Sequence, residues 1–357
     1  MTIKVVQWAT GGVGLWSLRK IIDHPDLELV GVLVYTEEKN SVDAGDLCGR
    51  AKTGVKATMS KDAIIAMDAD VVIMTPKLPE DDDLIALLRS GKDVISPLSY
   101  FAPEVEGAEL MQRIEEACQA GGSTLHGAGI DPGFVCDRVP AVLTGICAEV
   151  ERIDMIEVFD CSKHPLADMM FNLLGFGKGP EEIHLNSPGG IYFSQRLFPA
   201  VLYKLARQLG TKLDRVEMNN VQFAFATKDF EIAAGKVGKG KIAGLSFDYT
   251  GYVGEKAFLK QRWVHHVGQH LGALPDGWRT APDPETPVQQ GGTPVYEIVL
   301  DIVGRPHINT RMLLTDKDDP VWPGTAYSLI NCIPGTLAAP PGFLADPVFA
   351  AWKPRMT

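Results

Sequence analysis

The chain has no C-x-x-C pair among its six cysteines (48, 118, 136, 147, 161 and 332), and its histidines and cysteines nowhere take the spacing of a metal site. Scattered this way, the cysteines read as small buried hydrophobes of a reducing compartment, not as disulfides or ligands. A basic run is also missing. The formal net charge of −11 over 357 residues therefore argues against a nucleic-acid or anionic-membrane partner. No apolar stretch approaches the ~20 residues of a membrane-spanning helix. Met1-Thr2-Ile3-Lys4 runs straight into an apolar strand, so no signal peptide and a cytoplasmic location are expected. Internal repeats, low-complexity tracts and a Ser/His/Asp or Cys/His constellation are absent as well.

What is present is organised around one stretch near the start. An apolar segment from Ile3 leads into Thr10-Gly11-Gly12-Val13-Gly14, and helical spacing then runs to about Asp23. Strand, glycine turn and helix in that order are the opening of a Rossmann dinucleotide fold. Glycines let the backbone approach a pyrophosphate, and the helix N-terminus offers unpaired N–H groups to it. Gly12-Val13-Gly14-Leu15-Trp16-Ser17 reads G-x-G-x-x-S, with Ser17 in place of the third small residue. Gly11 to Gly14 also fits G-x-x-G. The cofactor expected at Gly11, Gly12, Val13 and Gly14 is NADP or NAD.

The choice between the two stays open. An NAD site would carry Asp or Glu at the tip of the second strand, where this chain has Val34-Tyr35-Thr36. Thr36 and Lys39 suit a 2′-phosphate, whereas Glu37 and Glu38 oppose one. Farther on, strands and helices alternate, the pattern of a doubly wound parallel sheet. Two strands end at Thr75-Pro76 and Ser96-Pro97, where they are expected to line the nicotinamide half of the site. Pro103 suits the first position of a helix. Glu104 beside it is the first candidate for an acid/base, because it follows a strand at the carboxyl edge. The same position is favoured for any acidic residue by the helix dipole alone. Glu106 and Glu109 are read in that second way.

From about Ala148 the texture changes to strands joined by turns, with helices expected over Leu166 to Leu174 and Arg196 to Leu209. The fold class is therefore an α/β Rossmann-type doubly wound parallel sheet plus an α+β domain with a largely antiparallel sheet. The expected domains are 1–147 for the dinucleotide and 148–324 for substrate and dimerisation. A C-terminal helix within 325–357 is expected to pack back on the first domain. Gly175 to Pro180 forms a loop that is either a lid or a plain surface connection. His265 and His266 lack the sequence context of paired catalytic histidines, and His126, His164 and His307 are read as structural.

Four motifs together resemble one family. They are Thr10-Gly11-Gly12-Val13-Gly14, Asp43-Ala44-Gly45-Asp46-Leu47-Cys48-Gly49, Gly127-Ala128-Gly129-Ile130-Asp131-Pro132-Gly133-Phe134, and Asn331-Cys332-Ile333-Pro334 through Ala339-Pro340-Pro341-Gly342. The family is that of 2,4-diaminopentanoate dehydrogenase and the native amine dehydrogenases, which carry a dihydrodipicolinate-reductase-like N-terminal domain. The resemblance implies reversible NAD(P)-linked oxidative deamination of an amine to a ketone or aldehyde plus ammonia. It also implies a homodimer built largely through the second domain's sheet, and it places the catalytic glutamate on Glu104. Asn331 joins the expected cofactor set, and Phe134, Phe171 and Leu174 are expected as apolar walls that raise the pKa of Glu104. Two other readings remain: an imine or carbonyl reductase on the same scaffold, and a non-catalytic nucleotide-sensing regulator.

Overall fold

The computed structural model describes residues 2–98, 100–183, 188–281, 294–315, 320–345 and 348–355. The chain divides into two compact units, Met1–Phe134 with Val321–Asp346, and Val135–Pro320 with Pro347–Thr357. The division falls at Phe134/Val135, earlier than the expected 147, because the helix Arg138–Leu143 packs with the helix Phe198–Gln208 of the second unit. Among the described residues no helix is long and apolar enough to cross a membrane.

The first unit is built on strands β1 (Ile3–Trp8), β2 (Leu27–Leu33), β3 (Val71–Met74), β4 (Asp93–Ser96) and β5 (Thr124–Gly127). They pair in the order β2-β1-β3-β4-β5, with the short strand Gly342–Phe343 beyond β5, and every pairing is parallel. Strands buried on both faces read as unbroken apolar runs, and Val71-Val72-Ile73-Met74 is such a run. Side chains alternate across it. Val5, Val71, Ile73 and Ile95 pack with Ile21, Leu329 and Ile330 on one face. Val6, Trp8, Val72, Met74 and Val94 pack with Leu84, Leu88 and Ile114 on the other. Among the helices α1 (Gly12–Asp23), α2 (Ala44–Cys48), α3 (Lys61–Ile65), α4 (Asp81–Arg89), α5 (Pro103–Glu106) and α6 (Ala108–Gly121), α1 supplies Ile21, α4 Leu84 and Leu88, and α6 Ile114, while Leu329 and Ile330 come from the helix Val321–Asn331. The helix Val321–Asn331 packs along α1.

The loop around α2 explains one of the four motifs. Asp43 accepts the backbone N–H groups of Gly45, Thr53 and Gly54 at 2.9, 3.0 and 2.9 Å. These bonds, that from Thr53 first, hold its carboxyl below the usual carboxylate range. Gly45 is glycine because a Cβ there would stand 2.0 Å from the carbonyl oxygen of Ala51.

The second unit carries β6 (Glu149–Asp160), β7 (Arg215–Phe225), β8 (Phe230–Ile232), β9 (Gly235–Val237), β10 (Ile242–Val253), β11 (Lys256–His266), β12 (Pro294–Arg305) and β13 (Ile308–Thr315). Its main sheet runs β13-β12-β6-β11-β10-β7; β6 and β11 are parallel and every other pair is antiparallel. β9 is too short to show a pattern and the apolar residues of β13 (Ile308, Met312, Leu313 and Leu314) do not alternate, so neither strand is legible in the sequence. Two expected helices differ at their ends. Asp168–Leu173 and Tyr192–Leu197 are wound as π-helix, the wider turn that tends to occur at functional sites.

Candidate functional site

At the carboxyl edge of the first sheet the strand order reverses between β1 and β3, the place where such sheets bind ligands. Ala9 leaves β1 with φ +76°, in the left-handed region that favours glycine. A Cβ on Gly11 would meet nothing within 4 Å, so that face of the turn is open. A Cβ on Gly14 would stand 2.3 Å from the Ala9 oxygen and 2.9 Å from Thr75 Oγ1. Residues 9, 11 and 14 therefore have the geometry of the three glycine positions of G-x-G-x-x-G: a tight turn, an open backbone face, and close helix–strand packing. The register starting at Gly12 is corrected accordingly. Ser17 does not replace a glycine; its hydroxyl donates to the Val13 carbonyl at 3.1 Å within α1. Gly12 is crowded from elsewhere, since a Cβ there would lie 2.7 Å from the indole of Trp322.

Two buried side chains hold this turn. Gln7 Nε2 donates to the Ala9 carbonyl and to Thr75 Oγ1, both at 2.9 Å, and Thr75 Oγ1 donates to the Trp8 carbonyl at 3.1 Å. Thr75 thus lies at the site but spends its hydroxyl on the backbone. Pro76 is buried beside it, and Ser96 Oγ accepts the Leu98 N–H at 3.2 Å. No side chain caps α1, and its first turn holds no acid. The partial positive charge of that helix end is therefore available to an anion.

Lys39 Nζ donates to the Thr10 carbonyl at 2.9 Å and to Thr10 Oγ1 at 3.2 Å, which brings a cation to the same turn. Thr36 is exposed and turns its hydroxyl to Glu38. The carboxyl of Glu38 sits below its ordinary range through its own backbone N–H and that hydroxyl. Asn331 is not at this edge. Its helix runs alongside α1, with Trp322 at Gly12, Tyr327 edge-on to Trp16 at 6.4 Å and Ile330 against Ile21. Nine residues at about 1.5 Å each carry Asn331 roughly 13 Å past Trp322.

Glu104 occupies the first turn of α5, with Pro103 ahead of it. The approach to α5 is tightly fixed. Tyr100 takes φ +60°, donates its N–H to Glu106 Oε1 at 2.6 Å, and donates its hydroxyl to Asp81 Oδ1 at 2.6 Å. Gly127 of β5 lets it pass, because a Cβ there would stand 2.5 Å from the Tyr100 oxygen. Glu106 is therefore a clamp on this segment. Glu104 itself is exposed, not enclosed between apolar walls as expected, since it stands on the outer side of a four-residue helix.

The second unit holds a cavity of about 90 Å³ over one end of its sheet. Strand register brings Phe223 opposite Leu245 and Val221 opposite Phe247, and these form its floor. Leu174, Phe193 and Phe198 complete the walls. Of the expected wall residues, Leu174 lines this cavity. Phe171 packs instead toward Gly177 and Gly235, and Phe134 belongs to the first unit, where it is 42% exposed. The loop 175–180 is tied to β10 by Gly177 N–H to the Ile242 carbonyl (2.8 Å) and Ile242 N–H to the Lys178 carbonyl (2.9 Å).

Two neighbouring histidines are fixed within the second unit's sheet. His266 stands 3.0 Å from the Gly268 carbonyl by Nδ1 and accepts the Ala281 N–H by Nε2 at 2.9 Å. His265 points to the opposite face, against Phe159 and Phe198, and burial lowers its pKa to about 4. Among the described residues no group of side chains could hold a metal ion, and the six cysteines are free.

No family model matches the chain. An amine dehydrogenase of Streptomyces virginiae is 28% identical over 335 residues, covering 89% of this chain and 86% of that one. A 2,4-diaminopentanoate dehydrogenase of Acetoanaerobium sticklandii is 23% identical over 351 residues, covering 95% and 91%. An amine dehydrogenase structure from Mycobacterium smegmatis superposes with a TM-score of 0.76 at 16% identity, covering 97% of this chain and 95% of the other, and bears out the fold. Over most of its length, then, this chain is similar to an amine dehydrogenase and to a 2,4-diaminopentanoate dehydrogenase, as its motifs imply.

Proposed function

We propose that this protein is an NAD(P)-dependent amine dehydrogenase, interconverting a primary amine with a ketone or aldehyde and ammonia. The observation that carries the reading is the 28% identity to an amine dehydrogenase across 89% of the chain. It is supported by a turn whose residues 9, 11 and 14 fit a dinucleotide. Gly11, Val13 and Gly14 would hold the diphosphate by backbone N–H groups, and Lys39 would supply positive charge for the 2′-phosphate of NADP. When bound, the dinucleotide accepts or gives the hydride at the amine carbon.

The protein's own work is proton handling. Glu104 is the acid/base of this reading. As a carboxylate it takes a proton from the substrate ammonium, so that nitrogen can form the iminium as hydride departs. After releasing that proton to solvent, the carboxylate draws a proton from the water that attacks the iminium carbon. In the reverse direction it returns that proton to the leaving hydroxyl. The sequence carries no arginine motif that would bind an α-carboxylate, which favours a simple amine or ketone over an amino acid. The reading also includes a homodimer and a cytoplasmic location, where the free cysteines stay reduced.

The test follows NADH and NADPH absorbance with cyclohexanone and short aldehydes, with and without ammonium. Ammonium-dependent oxidation is expected. Consumption without ammonium would instead mark a carbonyl or imine reductase, and tight binding without any turnover would mark a sensor. Glu104→Gln is expected to keep dinucleotide affinity and lose most turnover; near-normal activity would remove Glu104 from the mechanism. Sedimentation of the purified protein tests the dimer.

A further inference from the structure

Gly12 has no task in the fingerprint at 9, 11 and 14, yet it is a glycine in the first turn of α1. Glycine there weakens a helix relative to alanine, because more backbone freedom is lost on folding. The reason lies 310 positions away. A Cβ on Gly12 would stand 2.7, 2.8 and 2.8 Å from three indole atoms of Trp322. The indole therefore rests directly on the backbone whose N–H groups face the anion site. Its own helix is fixed on both sides. Tyr327 meets Trp16 edge-on, and a Cβ on Gly324 would lie 3.0 Å from Ile130 Cδ1, in the loop after β5. Trp322 is only partly buried, so part of this large ring remains accessible beside the turn.

We propose that Trp322 is a positioning residue for the dinucleotide, its indole forming a wall beside the diphosphate cradle and tying cofactor binding to the C-terminal helix. A plain spacer would not need this pairing: a smaller apolar residue at 322 and alanine at 12 would fill the same volume without a glycine in the helix. The Gly12–Trp322 pair gives up helix stability and sets an aromatic plane against the turn. The other flank carries Lys39 on Thr10, so charge and aromatic surface bracket the open Gly11. This inference rests on the dinucleotide site of the proposed function.

The test compares wild type, Trp322→Phe, Trp322→Ala and Gly12→Ala as full-length proteins, with NADH and NADPH as probes. Three quantities are read: Kd, the rise in Tm on adding dinucleotide, and energy transfer from tryptophan to the dihydronicotinamide. Trp322→Ala and Gly12→Ala should each weaken both dinucleotides about tenfold, the scale of one lost aromatic contact. Trp322→Phe should bind within about threefold of wild type, because a ring is retained. Its energy transfer should fall by more than one-sixth, the share of an average donor among six tryptophans. A merely structural indole would lower the Tm of free and bound protein equally and leave the ligand-induced rise unchanged; that result, or unchanged Kd values, overturns the proposal. Should the alanine variants not fold, unchanged transfer and Tm rise in Trp322→Phe overturn it instead. Failure of the wild type to bind either dinucleotide sinks the proposed function together with this inference.

Discussion

Gln7 Nε2 stands 2.9 Å from Thr75 Oγ1, a bond between buried side chains of neighbouring strand ends. Both groups also reach the backbone of residues 8 and 9, so the strained turn is held from β1 and β3 together. Gln7→Leu removes the donor, leaving the Ala9 carbonyl short of a partner. A loss of roughly 1–3 kcal/mol is expected by urea denaturation, with weaker NADPH binding in titration. Stability lost with affinity intact would mean that the pair braces the sheet and not the turn.

Opposite signs are expected at the two ends of the fingerprint. Ala9→Gly relieves a left-handed alanine at φ +76° and should be neutral to stabilising by about 1 kcal/mol. Gly14→Ala forces a methyl to 2.3 Å from the Ala9 oxygen. It should cost about 2 kcal/mol or more, as overpacking does. Thermal unfolding of both variants checks the pair, and a destabilised Ala9→Gly would refute the assignment of residue 9 to the tight turn.

Those two positions also mark what the sequence could and could not convey. Val71 to Met74 announces a doubly buried strand by composition alone, and the alternation along β6 and β10 is as plain. The glycine fingerprint was visible but misplaced, because Ala9 stands where the first glycine belongs. Its backbone angle comes from Gln7 and Thr75, a contact 68 residues apart in the chain. The cavity was harder still. Leu174 could be guessed from a helical run, but Phe193, Phe198, Phe223 and Phe247 meet only through strand register and a π-wound turn. Glu104 was placed by its strand end, while its exposure depends on how short α5 is. Tyr100 and Glu106 fix α5 through a bond that no periodicity reveals.

Acid should weaken the second unit through its buried histidines. Burial brings His164 and His265 down to about 4, below the 6.5 of an unburied imidazole. The unfolded chain therefore binds protons that the folded chain refuses between those values. Stability is fully present above about pH 6.5 and is lost as pH falls toward 4, by up to about 1.4 kcal/mol per unit for each histidine. His265→Gln should flatten part of this slope in urea titrations repeated from pH 7 to 4. An unchanged slope would show that His265 takes up its proton in the folded protein near its ordinary pKa.

Cofactor preference turns on Lys39. Its ammonium is held at Thr10, next to the open face of Gly11, and no carboxylate ends β2, where Val34, Tyr35 and Thr36 follow the strand. Glu38 lies near but shares its carboxylate with the Thr36 hydroxyl. An ammonium beside a ribose favours the added charge of a 2′-phosphate, and one charge-assisted hydrogen bond is worth about 1.5–3 kcal/mol. Lys39→Ala should therefore raise the Kd of NADPH at least tenfold and leave that of NADH within about threefold, as read by fluorescence titration. An equal loss for both would place the ammonium on the diphosphate they share. In that case the absence of a carboxylate at the very end of β2 would be the only remaining argument for NADPH.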